Sequence, residues 1–171
     1  MKPTLDIESP RGQQSLVEER RMLAAIRLYL PGFRIIETDK SKPDDVDGYL
    51  IKQGRVRGVF ESKCRHMTRE TLRGPFQNEW LVTTDKLVRG VAEAKKYDAP
   101  FFGFLYLVPD DVALAIRLAD EDGQFLPPMR EQWTLTQATC NGGQIERLNT
   151  YVDMSLATTI SMNWADLQER K

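Results

Sequence analysis

The stretch that most limits the fold is "FFGFLYLV", residues 101–108. A near-continuous apolar run of strand length is what a strand covered on both faces requires. Such a strand needs a layer on each side of its sheet, which points to an α/β or α+β domain with a mixed sheet. The neighbouring segments supply those layers. "SLVEERRMLAAIRLYL" (15–30) reads as an amphipathic helix ended by Pro31-Gly32. "TTDKLVRGVAEAKKY" (83–97) reads as a second, capped by Thr83 or Thr84, with Leu87, Val88, Val91 and Ala94 at helical spacing. Between them, "FRIIETD" (33–39) is a short strand and "KSKPDD" a polar loop, and "VDGYLIK" and "RVRGVFESK" are strands joined at Gln53-Gly54 by a hairpin turn. A basic segment, "CRHMTRETLRGPFQNEW", reads as loop with a short helix. The order is therefore helix, strand, strand, strand, helix, strand. Beyond it "VALAIRLA", "WTLTQAT" and "LNTYVDM" read as further strands, "CNGGQ" as a turn and "NWADLQER" as a closing helix.

At 171 residues the chain is expected to form one domain with a real core. No apolar run approaches the roughly 20 residues that span a bilayer. "MKPTLDIESP" lacks the apolar stretch of a secretion signal. Two distant cysteines, Cys64 and Cys140, signal neither a disulfide framework nor a thiolate zinc site, and Cys64 reads as a small buried filler. A reduced, cytoplasmic setting is the expectation. The net charge of −1 hides an asymmetry. Residues 52–96 hold 11 Lys or Arg against 5 acids, whereas residues 97–171 hold 5 against 11. A basic middle suggests one face meant for an anion, nucleic acid among the candidates; a solvated loop and helix face explains the charge equally well.

The strand "RVRGVFESK" ends on opposite charges. Glu-x-Lys occurs three times, at Glu61/Lys63, Glu93/Lys95 and Glu169/Lys171, and geometry separates them. On a helix, residues two apart point about 200° apart. On a strand they share a face, roughly 6.5–7 Å from each other. Only Glu61 and Lys63 lie on an expected strand. A hairpin at Gln53-Gly54 lays the preceding strand alongside, so Asp47 can approach Glu61 at one end of the sheet. Two close, buried carboxylates repel unless a cation intervenes. Hard oxygen ligands suit Mg²⁺ or Mn²⁺. On the first helix, Leu16, Leu23, Ile26 and Leu30 form an apolar stripe that includes Glu19, an acid facing the core. Glu18 fits a capping box with Ser15 as N-cap, so Glu18 is assigned to structure and Glu19 to the site.

Asp47 followed by Glu61-x-Lys63 on adjacent strands of an αβββαβ core resembles the PD-(D/E)XK nuclease superfamily, over about residues 13–108. Residues 109–171 then form a C-terminal strand extension. Pro43-Asp44 supplies a literal "PD", but Asp47, at the start of the apolar "DGYLI", matches the family position better; Asp44 and Asp45 are fallback loop acids. The resemblance implies a restriction-endonuclease-like fold in which Asp47, Glu61 and the backbone carbonyl of Ser62 bind one or two Mg²⁺ (or Mn²⁺). Glu19 would assist, through water in many members. Lys63 would position or deprotonate the attacking water and stabilise charge on the phosphate. It also implies that Lys86, in the first turn of the second helix, holds a substrate phosphate. Arg65 keeps the strand parity of Glu61 and Lys63 and is a further backbone contact. His66, Arg69 and Arg73, with Lys95 and Lys96, are candidates for the rest of the nucleic-acid surface.

The leading expectation is thus Mg²⁺-dependent hydrolysis of nucleic-acid phosphodiesters, DNA rather than RNA, with symmetric duplex cleavage needing a homodimer or two successive events. The alternative is a non-catalytic nucleic-acid-binding or assembly protein on the same fold. A glycosidase using paired carboxylates fits poorly with a lysine beside Glu61 and a basic middle segment.

Overall fold

The computed structural model describes residues 8–42, 44–137 and 144–163. The elements run α1 (Pro10–Tyr29), β1 (Arg34–Glu37), β2 (Gly48–Lys52), β3 (Arg55–Arg65), α2 (Arg69–Arg73), β4 (Glu79–Thr83), α3 (Thr84–Lys95), β5 (Phe101–Leu107), β6 (Val112–Ala119), β7 (Met129–Gln137), β8 (Gln144–Asp153) and β9 (Thr158–Ser161). The expected αβββαβ order is present as α1, β1, β2, β3, α3, β5. A mixed six-stranded sheet in the order β1-β2-β3-β5-β6-β9 forms the centre, and β3 and β5 are its parallel pair. A three-stranded antiparallel sheet, β4-β8-β7, is the second layer. Among the described residues no helix is long and apolar enough to cross a membrane.

Both faces of the central sheet are covered, as "FFGFLYLV" demands. Phe60, Phe104 and Tyr106 face Met22, Leu23 and Ile26 of α1. The alternate residues Val59, Leu105 and Leu107 face Leu87 of α3 and Trp80, Val82 and Val152 of the second sheet. Gly90 lets α3 lie close on β5: a Cβ there would come within 2.2 Å of the Phe101 ring. The hairpin turns at Gln53-Gly54, where both residues have positive φ (52° and 73°), as a two-residue turn of the right twist needs.

Several expectations are corrected. α1 starts five residues before Ser15, with Ser9 as N-cap accepting from Gly12 N at 2.9 Å and Pro10 in the first turn, so Ser15 and Glu18 form no capping box. The basic segment holds α2 and then runs into β4. Its Trp80 and Val82 are core residues whose strand partner, β8, is far along the chain. Val88, expected on the apolar stripe of α3, is exposed, and Gly90 takes the buried place instead. β9, unanticipated, closes the edge of the sheet against β6. The "CNGGQ" turn and the "NWADLQER" helix lie almost wholly outside the described residues.

Candidate active site

The hairpin register builds the site. Gly48 pairs with Phe60 as the last ladder pair of β2 and β3, and one step further Asp47 still donates its N–H to Phe60 O at 3.0 Å. Asp47 therefore stands opposite Glu61 at the rim. Its neck is tied from the other side too, because Thr38 N–H donates to Asp47 O at 3.0 Å and Thr38 Oγ1 to Val46 O at 2.8 Å. The carboxylate points at β3: Oδ2 accepts from Ser62 N (2.8 Å) and lies 3.1 Å from Ser62 Oγ.

Strand alternation divides the neighbours of Asp47 between the two faces. Ser62 points to the α1 face, where its hydroxyl lies 3.0 Å from Glu19 Oε1. Glu61 points to the α3 face. The residue is 6% exposed, and Oε2 is buried with no hydrogen-bond partner. Lys86 Nζ approaches that oxygen to 3.7 Å, an ion-pair distance but too long for a hydrogen bond, while donating to Asp44 O at 3.0 Å. Burial first, and repulsion from Asp47 second, push the Glu61 carboxyl up to about 7; Lys86, Lys63 and Lys40 pull the other way. Lys63 is exposed on the same face as Glu61 and acts on it electrostatically.

One residue that the sequence left unmarked sits at the centre. Lys40 Nζ is 2.8 Å from Glu19 Oε1 and 3.3 Å from Asp47 Oδ1, so its ammonium bridges the two acids. Burial lowers its pKa, but the attraction of Asp47 and the hydrogen bond to Glu19 outweigh that and leave it raised. An Asx turn delivers it, with Asp39 Oδ1 accepting from both Ser41 N (2.9 Å) and Ser41 Oγ (2.6 Å). The only advance signal was a lysine in a polar loop beside the acids.

The remaining sequence candidates scatter. Glu18, assigned to structure, is 6% exposed and reaches His66: Nε2 lies 3.0 Å from Oε1 and 3.1 Å from Oε2. Gln14 Nε2 donates to the same carboxylate at 3.2 Å. His66 thus belongs to an α1 contact. Arg65 turns back on its own strand, with Nη1 3.4 Å from Cys64 O. Burial chiefly, with Arg11 adding, lowers its pKa. Arg69 is held by Asp110 and Thr159, beside β9 and across β5 and β6 from β3, so it is not brought to the carboxylates. Arg73 is exposed at the end of α2. Lys96 binds Glu93, which also accepts from Tyr49 Oη at 2.9 Å, so each oxygen of that buried acid has a partner.

Among the described residues no three His, Cys, Asp or Glu side chains form a ready-made metal cage. The donor chemistry nevertheless fits a hard divalent ion. Glu61 Oε2 is a buried carboxyl oxygen without a hydrogen-bond partner, beside a second carboxylate. No known family model matches the chain, and no curated protein matches it. Among solved structures the chain is similar to a Holliday junction resolvase, Hjc, from the hyperthermophilic archaeon Archaeoglobus fulgidus. The two are 17% identical with a TM-score of 0.44, over 60% of this chain and 75% of that one.

Proposed function

We propose that this chain is a metal-dependent nuclease of the PD-(D/E)XK type that hydrolyses phosphodiester bonds of DNA. The observation that carries the reading is Glu61: a buried carboxylate with one oxygen short of any donor, opposite Asp47 and flanked by Lys63 and Lys86. A buried carboxylate left so is costly until a cation completes it or a proton neutralises it. Asp47, Glu61 and the Ser62 carbonyl would hold Mg²⁺ or Mn²⁺, with Glu19 assisting. When bound, the ion supplies Lewis-acid charge to a phosphoryl oxygen and makes a bound water more acidic.

The chain's own groups supply the rest. In the reaction a water oxygen bonds to phosphorus, the bond from phosphorus to the departing sugar oxygen breaks, and that oxygen gains a proton while the water loses one. Lys63, exposed on the Glu61 face, is placed to donate hydrogen bonds to a non-bridging oxygen and to the attacking water, which stabilises charge that grows in the transition state. Lys86, in the first turn of α3, adds a second cation where helix N–H groups also favour a phosphate. Ser62 orients Asp47 through two contacts, so that Asp47 presents its other oxygen, Oδ1.

The test is incubation of the purified chain with linear, nicked, branched and single-stranded DNA in Mg²⁺ or EDTA. Cleavage is expected only with Mg²⁺, and Lys63→Ala is expected to lower its rate about a hundredfold or more. Undiminished cleavage by that variant, or cleavage that survives EDTA, contradicts the proposal. A non-catalytic nucleic-acid-binding protein on the same fold is the second reading. One observation favours it: Lys40 already neutralises Glu19 and Asp47.

A further inference from the structure

We infer that Lys40 is a resident counter-ion of the cation seat: its ammonium and a divalent ion occupy Asp47 Oδ1 in turn, so the ion binds only by expelling the lysine. This rests on the metal-site reading above and adds a competition inside it.

Asp47 has two carboxylate oxygens, and one is committed to the fold. Oδ2 takes the Ser62 N–H at 2.8 Å and lies 3.1 Å from the Ser62 hydroxyl, whose one proton is shared with Glu19 Oε1 at 3.0 Å, so this oxygen is turned onto β3. Oδ1 is the oxygen turned away from β3, and Lys40 holds it at 3.3 Å. The same ammonium holds Glu19 Oε1 at 2.8 Å. An ion bound to Oδ1 at about 2.1 Å would lie close to that ammonium, and the two positive charges would repel strongly at such a separation. Both cannot stay.

The loop suits a lysine that leaves. It is fixed at its neck by Thr38, Val46 and Asp47. Its far side is held by Lys86 on Asp44 O and Arg89 on Asp45. Lys40 itself contributes four rotatable side-chain bonds, and its side chain is 26% exposed, so the ammonium can reach solvent or a substrate phosphate without unfolding the loop. Glu61 is a different case, because its buried oxygen has no hydrogen-bond partner to displace.

The experiment is calorimetric titration of Mg²⁺ into the metal-free chain and into Lys40→Met, which keeps most of the stem and removes the charge. Lys42→Met serves as control, since Lys42 is exposed and pairs only loosely with Asp39 at 4.0 Å. The dissociation constant is expected to fall about tenfold in Lys40→Met and to stay unchanged in the control; tenfold corresponds to about 1.4 kcal/mol. A second measurement uses the unaltered protein. Acylation of Lys40, read by mass spectrometry against Lys42, is expected to quicken severalfold when Mg²⁺ saturates the site. If the unaltered chain binds Mg²⁺ and loses it in Asp47→Asn, while Lys40→Met binds no more tightly and Lys40 acylates at the same rate with and without the ion, the inference is overturned and the metal site stands. If no chain binds Mg²⁺ at all, the metal site falls and the inference falls with it.

Discussion

On the α1 side of the rim of β3, Ser62, Asp47, Glu19 and Lys40 satisfy one another, whereas on the α3 side Glu61 keeps a buried oxygen that no donor reaches. The two sides are set by one strand and by the same kinds of residue. What separates them is where the lysines stand. Lys40 bonds directly to its acids, but Lys86 stops at 3.7 Å and spends its hydrogen bond on Asp44 O. A second pair makes the same point. Glu18 and Glu61 are equally buried, yet Glu18 has His66 and Gln14 while Glu61 keeps an oxygen without a hydrogen-bond partner. Burial alone does not mark a functional acid; burial without a partner does.

The largest expected effect tests that pair. Glu61→Gln should lower Mg²⁺-dependent DNA cleavage by about a thousandfold, a loss in the range seen when charge stabilisation at a reacting phosphate or acyl group is removed. Glu18→Gln should leave the rate within about twofold, measured on the same substrate. Equal losses from the two substitutions would erase the distinction between a paired and an unpaired acid.

The second effect is in stability. The Glu61 carboxyl is raised from its ordinary 4.5 to about 7, so the folded chain binds a proton that the unfolded chain releases. Its contribution is therefore fully present below about pH 4.5 and is lost as pH rises through 7. In EDTA the unfolding free energy should fall across that window by at most about 3 kcal/mol. Subtracting the denaturant-melt profile of Glu61→Gln from that of the unaltered chain isolates the slope, and identical profiles would show that Glu61 is not strained in the metal-free fold. Saturating Mg²⁺ should flatten the slope, because the ion replaces the proton.

A smaller effect sharpens the other side. Ser62→Ala removes the hydroxyl that lies between Glu19 and Asp47 but keeps the backbone N–H to Asp47. It should cost about 1–2 kcal/mol in denaturant melts. Cleavage should fall by about tenfold or less, because Asp47 keeps one of its two anchors. A loss as large as that of Glu61→Gln would mean that the paired side does more than orient Asp47.

Much of this geometry could be read in advance, for local reasons. The Gln53-Gly54 turn fixes the pairing of β2 with β3, and strand alternation then puts Glu61 and Lys63 on one face and Ser62 on the other. Lys86 follows from the start of α3 at Thr84. The parts that escaped depend on contacts distant in sequence. Lys40 meets Glu19 from 21 positions away, and His66 meets Glu18 from 48. Glu18 is structural, but not as a capping residue: α1 is capped by Ser9 rather than Ser15, and the Glu18 carboxylate meets Gln14 and His66 instead. β4 is short, and only β8 and the core beneath Trp80 make it a strand. Arg69 looked like part of a basic face until Asp110 and Thr159 claimed it.

The most direct measurement is calorimetric Mn²⁺ binding to the unaltered chain and to Glu61→Gln, at a pH above 7 where the Glu61 carboxyl is ionised. The account predicts a saturable site in the first and its loss, or weakening by about a hundredfold, in the second, since a neutral amide replaces a charged oxygen ligand. Binding of equal strength in both chains would contradict it.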